Sequence, residues 1–169
     1  MDNLKKIKDI FSDYKNNSQV QDCYICKIEI NKKLNKLTII LKTEQFVQIK
    51  DMWDFEKYLT ERFKIRDIEM IFTYNENTKI PEVKDEWKNI ICYMAHKHPL
   101  MKPILLMKST IEVENNNINV KMHIKGADFL KSRKTDKQVE ITIKNLLGKE
   151  YKVNLEEQIS KEELKRQEE

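Results

Sequence analysis

The stretch TIEVENNNINVKMHI, residues 110–124, is the clearest indication of the fold. In its second half, apolar residues occupy every second position, at Ile118, Val120, Met122 and Ile124. This alternation is typical of a strand with one buried face. The three central asparagines predict a turn, because asparagine tolerates the positive φ angles of tight turns. The stretch therefore predicts a β-hairpin.

Helices are predicted before this hairpin. One begins near Pro81, and its inward face comprises Val83, Trp87, Ile90, Ile91 and Met94. A second, shorter helix is predicted between Pro99 and Lys108. This half of the chain therefore begins with two helices in succession.

The stretch after the hairpin is ambiguous. Residues 135–148 fit either a strand or a helix, and we favour a helix. Thr135 and Gln138 can form a capping box, and Gly148 suits the position just past the last turn. A last strand, EYKVNLE, follows at 150–156.

The first half of the chain predicts the order α-β-β-α-β. A helix is predicted over residues 3–14, because its apolar residues fall on one stripe. A hairpin is predicted from the strands YICKIEI (24–30) and KLTIILK (36–42), which flank the basic stretch NKKLNK. A helix over residues 48–63 and a strand over residues 67–74 follow. The predicted inward residues are Leu4, Ile7, Ile10, Phe11 and Tyr14 in the first helix, and Met52, Phe55, Leu59 and Phe63 in the second.

These elements predict an α+β protein of two small domains, each a short, mainly antiparallel sheet packed by helices. The polar stretch NENTKIPE separates them. We place a first domain at residues 1–74, a linker at 75–80, a second domain at 81–157 and a polar helical linker at 158–169. The second domain resembles a KH module in its strand, glycine-containing turn and basic helix.

Composition excludes several classes of protein. Charged residues make up 36% of the chain, but the net charge is only +4, which is weak for a nucleic-acid-binding protein. The two glycines argue against a phosphate-binding loop. No apolar run approaches the ~20 residues of a membrane span, and the first residues lack the apolar region of a signal peptide. We therefore expect a cytoplasmic protein with reduced thiols and no membrane partner.

Cysteine and histidine spacings suggest a metal or catalytic site. Cys23 and Cys26, taken with Cys92 and His96, have the ligand types and local spacings of a zinc site. The hypothesis is weak, because residues three apart in a strand point to opposite faces and the pairs fall in different predicted domains. Cys92 and His96 could form a catalytic thiolate–imidazolium pair, but no motif supplies the acidic or amide side chain that would orient the histidine. We predict no catalytic residue, metal or cofactor here.

A basic patch supports nucleic-acid binding as an alternative. It comprises Lys121, Lys125, Lys131, Arg133, Lys134 and Lys137. A KH module clamps the nucleic-acid backbone with a Gly-x-x-Gly loop, whereas KGADF contains only Gly126. Exposed aromatic residues also do not alternate with the basic ones. The patch could equally be an ordinary solvated face.

Several stretches, taken in order, resemble the N-terminal region of the PolC-type DNA polymerase III alpha subunit, the replicase of low-GC Gram-positive bacteria. They are the predicted first helix (3–14), NKKLNKLTIILKT (31–43), FEKYLTERFKIRDIEMIF (55–72), VKDEWKNIICYM (83–94), HPLMKPILLM (98–107), the hairpin with its following Lys-Gly (110–126) and EEQISKEELKRQEE (156–169). The resemblance covers essentially the whole chain, and it consists of order and pattern rather than one diagnostic motif.

The resemblance implies a fragment of a DNA-directed DNA polymerase with a 3′–5′ exonuclease. The chain contains none of the metal-binding carboxylate motifs of those activities, so we expect a non-catalytic interaction region without a small-molecule substrate. In the family, two small domains precede the catalytic parts, and one has been likened to the alpha-binding domain of the clamp-loader tau subunit. The resemblance therefore implies a replisome partner, with tau the leading candidate and DNA the alternative.

A docking region should expose an apolar surface. The candidate is the docking cluster Leu100, Met101, Ile104, Leu105 and Met107, since methionine-rich surfaces adapt well to partners. The alternative is that this segment simply packs on the Trp87 helix as core.

Overall fold

The structure, a computed structural model, describes residues 3–16 and 18–168. These residues form two three-stranded sheets, each packed by helices, which confirms the predicted α+β class. Two compact units are present: residues up to Pro81 with Asn145–Gly148, and Glu82–Lys144 with the residues after Gly148. The domain limits drawn from the sequence stay a prediction. Met1, Asp2, Asn17 and Glu169, which fall in the predicted segments 1–74 and 158–169, lie outside the described residues.

The first unit is built in the predicted order. Its elements are helix α1 (Ile7–Ile10), a 3-10 helix (Gln19–Asp22), strands β1 (Tyr24–Asn31) and β2 (Lys36–Thr43), helix α2 (Ile49–Phe63) and strand β3 (Asp67–Tyr74). Strand β2 lies in the centre of the sheet, antiparallel to β1 and parallel to β3. The parallel pair requires a crossover connection, and α2 supplies it. The hairpin is thus antiparallel as expected, whereas the third strand makes the sheet mixed.

Helix α1 is much shorter than the predicted helix over residues 3–14. It spans only Ile7–Ile10, because the chain before it is extended and pairs with the start of β1. The Ile7 N–H donates to the Cys23 carbonyl at 2.9 Å, and the Ile25 N–H donates to the Lys5 carbonyl at 2.9 Å. Ile7, Phe11 and Tyr14 are buried as predicted, whereas Leu4 and Ile10 are exposed.

Helix α2 packs on one face of the first sheet. Met52, Phe55 and Leu59 are buried on its inner face, and Ile68, Met70 and Phe72 are buried on β3, as the sequence predicted. Phe63 was also predicted to point inward, but it lies in the last turn of α2 and is 40% exposed. The chain leaves the helix at Lys64, whose φ of 56° is left-handed.

The second unit repeats the arrangement of a hairpin followed by a parallel strand. Its elements are helix α3 (Val83–Lys97), two 3-10 helices (Pro99–Met101 and Pro103–Leu106), strands β4 (Thr110–Glu114) and β5 (Asn117–Met122), helices α4 (Ala127–Ser132) and α5 (Thr135–Leu147), strand β6 (Lys152–Glu157) and helix α6 (Lys161–Glu168). Central β5 is antiparallel to β4 and parallel to β6. All five residues predicted for the inward face of α3 are buried.

Two short 3-10 helices replace the single helix predicted between Pro99 and Lys108. The break falls at Lys102, which has a left-handed φ of 52°. The residue before a proline is disfavoured in the α region, and Pro103 has no N–H to continue a helical ladder. Pro103 therefore ends one turn and starts the next.

The ambiguous stretch 135–147 is the helix α5, as favoured from the sequence. The predicted capping box is wrong, however. Thr135 is the first helical residue, and its buried hydroxyl donates to the Met101 carbonyl at 2.7 Å. The Gln138 N–H donates to the Lys134 carbonyl at 3.0 Å instead.

The polar end of the chain forms α6, which starts with a capping box. The Glu163 N–H donates to Ser160 Oγ at 3.2 Å, and the Ser160 N–H donates to Glu163 Oε2 at 2.9 Å. Among the described residues, no helix combines the length and apolar character needed to cross a bilayer.

Candidate functional site

The docking cluster is partly buried and partly exposed. It lies on the two 3-10 helices of the second unit, where Leu100 is 75% and Ile104 52% exposed. Met101, Leu105 and Met107 are half-buried, and Leu106 beside them is buried. The segment packs against α3, so part of it is core, yet it leaves two large aliphatic side chains in solvent.

Hydrogen bonds hold the backbone of the docking cluster. Arg133 Nη1 donates to the Leu100 carbonyl at 3.0 Å, and Thr135 donates to the next carbonyl, that of Met101. Met107 Sδ lies 3.9 Å from Cys92 Sγ on α3. Because its neighbours fix its backbone, the cluster presents its exposed side chains from a rigid support.

Half of the predicted basic patch makes contacts within the protein. Lys121 Nζ lies 2.5 Å from a Glu112 carboxylate oxygen, and Lys137 Nζ lies 3.1 Å from one of Glu140. Arg133, besides its bond to the docking cluster, lies with its guanidinium carbon 5.0 Å from the centre of the Phe129 ring. The remaining members, Lys125, Lys131 and Lys134, are exposed. Carboxylates therefore offset the charges of Lys121 and Lys137, and Arg133 is engaged by the docking cluster and Phe129.

A carboxylate occupies the backbone donors at the start of α4. Glu157 Oε1 accepts hydrogen bonds from the N–H groups of Gly126 at 2.7 Å and Ala127 at 2.9 Å. These bonds, and more weakly the nearby charges of Lys125 and Lys131, lower the pKa of Glu157 below its ordinary value. A nucleic-acid phosphate would have to displace this carboxylate to reach the same N–H groups.

The cysteine and histidine residues singled out from the sequence do not form a metal centre. Cys23 is buried, and its Sγ donates to the Gln19 carbonyl at 3.6 Å, whereas Cys26, Cys92 and His96 are exposed. Burial raises the pKa of the Cys23 thiol to about 11, which keeps the thiol protonated and a poor ligand. Across residues 3–16 and 18–168, no group of three or more His, Cys, Asp or Glu side chains is placed to hold a metal ion.

An apolar groove in the first unit was missed by the sequence analysis. It has a volume of about 300 Å³ and lies between β1, α1 and the end of α2, lined mainly by Ile10, Phe11, Ile28, Ile30, Leu59 and Phe63. We call it the β1 groove. Alternation in the sequence did place Ile28 and Ile30 on one face of β1, but it could not show that no helix covers that face.

Two family models match the chain, and together they span most of it. DNA polymerase III polC-type N-terminus I matches residues 6–74, and DNA polymerase III polC-type N-terminus II matches residues 85–169. The comparison with curated proteins found no match. The two models occur in the order that the resemblance implied, one for each half. The chain therefore belongs to the PolC-type DNA polymerase III family, as its N-terminal region.

Proposed function

We propose that this region is non-catalytic and docks the polymerase to another replisome protein, with the tau subunit of the clamp loader as the partner. The observation that carries the proposal is the exposure of Leu100 and Ile104. Large aliphatic side chains in solvent cost free energy that a partner recovers by covering them. DNA synthesis and proofreading would then belong to other parts of the polymerase.

The rigid backbone of the docking cluster supports this proposal. The Leu100 and Met101 carbonyls are already bonded to Arg133 and Thr135. Binding of a partner would therefore cost little conformational entropy in this segment, which favours a higher affinity. Half-buried Met101 and Met107 beside the exposed residues can adjust to the partner surface.

Direct binding of nucleic acid through a KH-like second domain is the alternative. Exposed Lys125, Lys131 and Lys134 favour it, since Lys125 precedes α4, Lys131 lies in its last turn and Lys134 follows it. Against it, Glu157 holds the N–H groups of Gly126 and Ala127. Docking of a protein accounts for the exposed aliphatic residues, and binding of a phosphate backbone does not.

Calorimetric titration of the chain with purified tau, at 50 and 300 mM salt, tests the proposal. We expect saturable one-to-one binding at both salt concentrations, because apolar contacts are screened little by ions. Ile104→Glu should weaken the affinity by about tenfold or more, as expected for a charge placed in an apolar contact. Ile141→Glu is the matched control, since Ile141 is 46% exposed on α5 of the same unit.

Two results would overturn tau docking through this surface. One is the absence of binding heat at both salt concentrations, provided that sedimentation also shows no complex. The other is an equal effect of Ile104→Glu and Ile141→Glu. Far-UV circular dichroism should show both variants folded, because substitutions at exposed positions usually change stability little.

A further inference from the structure

The outer edge of β1 has unused backbone hydrogen-bonding groups. Lys5–Ile7 pairs with the first residues of β1, through the bonds at Cys23 and Ile25. A bulge between Ile25 and Lys27 then shifts the register. Beyond it, nothing in the described part of the chain pairs with the outer edge of Lys27–Asn31. Such an edge can accept another strand.

The β1 groove lies directly beside this edge. Ile28 and Ile30 are paired with Ile39 and Leu37 of β2, so they share the face that α2 covers over the centre of the sheet. The helix does not cover the edge strand β1 fully, so Ile28 is 43% exposed and Ile30 is 55% exposed. A strand added about 4.8 Å from β1 would place every second side chain on this face, within the groove.

The charge around the β1 groove is positive. The stretches 3–11, 24–36 and 57–66, which contribute most of its lining, carry eleven Lys or Arg and three Asp or Glu. Four of these basic residues are ion-paired with Asp13, Asp22 or Glu69 from neighbouring stretches, which brings the acidic residues around the groove to six against eleven basic ones. Exposed Lys32 and Lys33 lie in the turn at the end of β1. An acidic segment therefore complements this side of the unit.

Two other occupants fit these observations less well. A second copy of the chain would bring two equally basic surfaces together, which costs free energy. A single strand of nucleic acid would suit the charge, but it needs aromatic side chains for stacking. The exposed residues that line the groove are isoleucines, apart from Arg62 and Phe63.

We propose that the β1 groove binds an extended acidic segment of a partner protein. The segment adds to the free edge of β1 and places apolar side chains at every second position into the groove. This binding goes beyond docking through Leu100 and Ile104, since it uses the other unit. It does not depend on whether the proposed docking to tau is correct.

Fluorescence anisotropy with a synthetic peptide tests the inference on the full chain. The probe is a labelled twelve-residue peptide in which Val or Ile alternates with Glu or Asp. We expect saturable binding, together with slowed hydrogen exchange at the Lys27–Asn31 amides in NMR spectra. Ile30→Glu should weaken the affinity by about tenfold or more, whereas Ile141→Glu, a matched change of an exposed isoleucine in the other unit, should leave it unchanged.

Modified peptides test the extended geometry without altering the protein. Methylation of alternate peptide N–H groups should abolish binding, because it removes donors to the β1 edge. A peptide of the same composition with its apolar residues grouped together should bind at least about tenfold more weakly. Ile28→Glu provides a second protein variant with the same expectation as Ile30→Glu.

Several outcomes would overturn the inference. They are no saturable binding below about 1 mM, equal binding of the grouped or methylated peptide, and unchanged affinity of both isoleucine variants. Displacement of the peptide by an equal concentration of oligo(dT) would show that the site binds nucleic acid. A dimer of the chain that Ile30→Glu dissociates would show that a second copy occupies the groove.

Discussion

Glu157 accepts hydrogen bonds from the Gly126 and Ala127 N–H groups, and these bonds lower its pKa below the ordinary value of 4.5. A carboxylate with a lowered pKa in the folded state stabilises the protein above its ordinary pKa. The contribution disappears as the pH falls through the lowered value. We expect Glu157→Ala to cost about 1 kcal/mol of unfolding free energy at pH 7, as for loss of a helix N-cap, and much less at pH 3.

Urea denaturation of both proteins at the two pH values measures this difference. The neighbouring Glu156→Ala is the control, because Glu156 is exposed on the same strand and should change stability little. An equal loss for Glu157→Ala at pH 3 and pH 7 would show that the carboxylate charge is not what stabilises the start of α4.

The three thiols should differ sharply in reactivity. Cys23 is buried and its pKa is raised to about 11, whereas Cys26 and Cys92 are exposed. Since the thiolate is the reactive form, we expect a thiol reagent at pH 8 to label two cysteines rapidly in the native protein and three in urea. Cys23→Ser should remove only the urea-dependent label. Rapid labelling of all three in the native protein would contradict the placement of Cys23.

At the scale of elements, periodicity located most helices and strands. The inward face of α3 and the buried residues of β3 follow directly from spacing, because burial of one face imposes that spacing. Two of the failures share a cause, namely bonds to residues distant in sequence. The chain at Lys5 and Lys6 is extended because it pairs with the start of β1, and Thr135 bonds to Met101 rather than capping its own helix. Single-sequence patterns carry no information about such partners.

The break between the two 3-10 helices at Pro103 could have been predicted from the sequence. Proline at 103 disfavours the α region at Lys102, so a continuous helix over Pro99–Lys108 was improbable on local grounds alone. The bulge near Cys26 had no such local signal, since neither glycine nor proline occurs near it. Local chemistry therefore explains one of these irregularities, and pairing across the sheet explains the other.

The buried face of α3 gives a prediction for this element. Trp87 is buried, and its Nε1 has no hydrogen-bond partner among the described residues. Trp87→Ala should cost about 3–5 kcal/mol through the cavity that it leaves. Trp87→Phe should cost less than half of that, because it also removes a buried, unsatisfied N–H. Urea denaturation followed by circular dichroism measures both, and equal losses for the two variants would contradict the expectation, because they would show that the cavity is not the main cost of Trp87→Ala.

At the scale of the whole molecule, the surfaces proved harder to predict than the core. The docking cluster was identified from the sequence, but which of its members face solvent depends on how Pro103 and Leu106 pack. The β1 groove was missed because Ile28 and Phe63 have the spacing of core residues. Exposure is decided by where covering helices end, and that is a property of the assembled unit rather than of any strand or helix.

The charge of the whole chain predicts how strongly it binds DNA and how that binding depends on salt. The net charge is +4, and the surroundings of the β1 groove and the patch near α4 hold about half of the basic residues. We expect weak binding of duplex DNA that depends on charge alone. If three lysine–phosphate contacts carry it, the affinity should fall roughly 40-fold between 50 and 200 mM salt.

Two triple variants separate general attraction from a specific nucleic-acid site. One changes Lys125, Lys131 and Lys134 to Glu, and the other changes Lys32, Lys33 and Lys50 of the first unit to Glu; all six lysines are exposed. If attraction is general, both variants should lower the affinity by similar factors, because each removes the same charge. Loss of binding in the first variant alone would instead establish the KH-like alternative, and Glu157 would then have to release the N–H groups at the start of α4 when DNA binds.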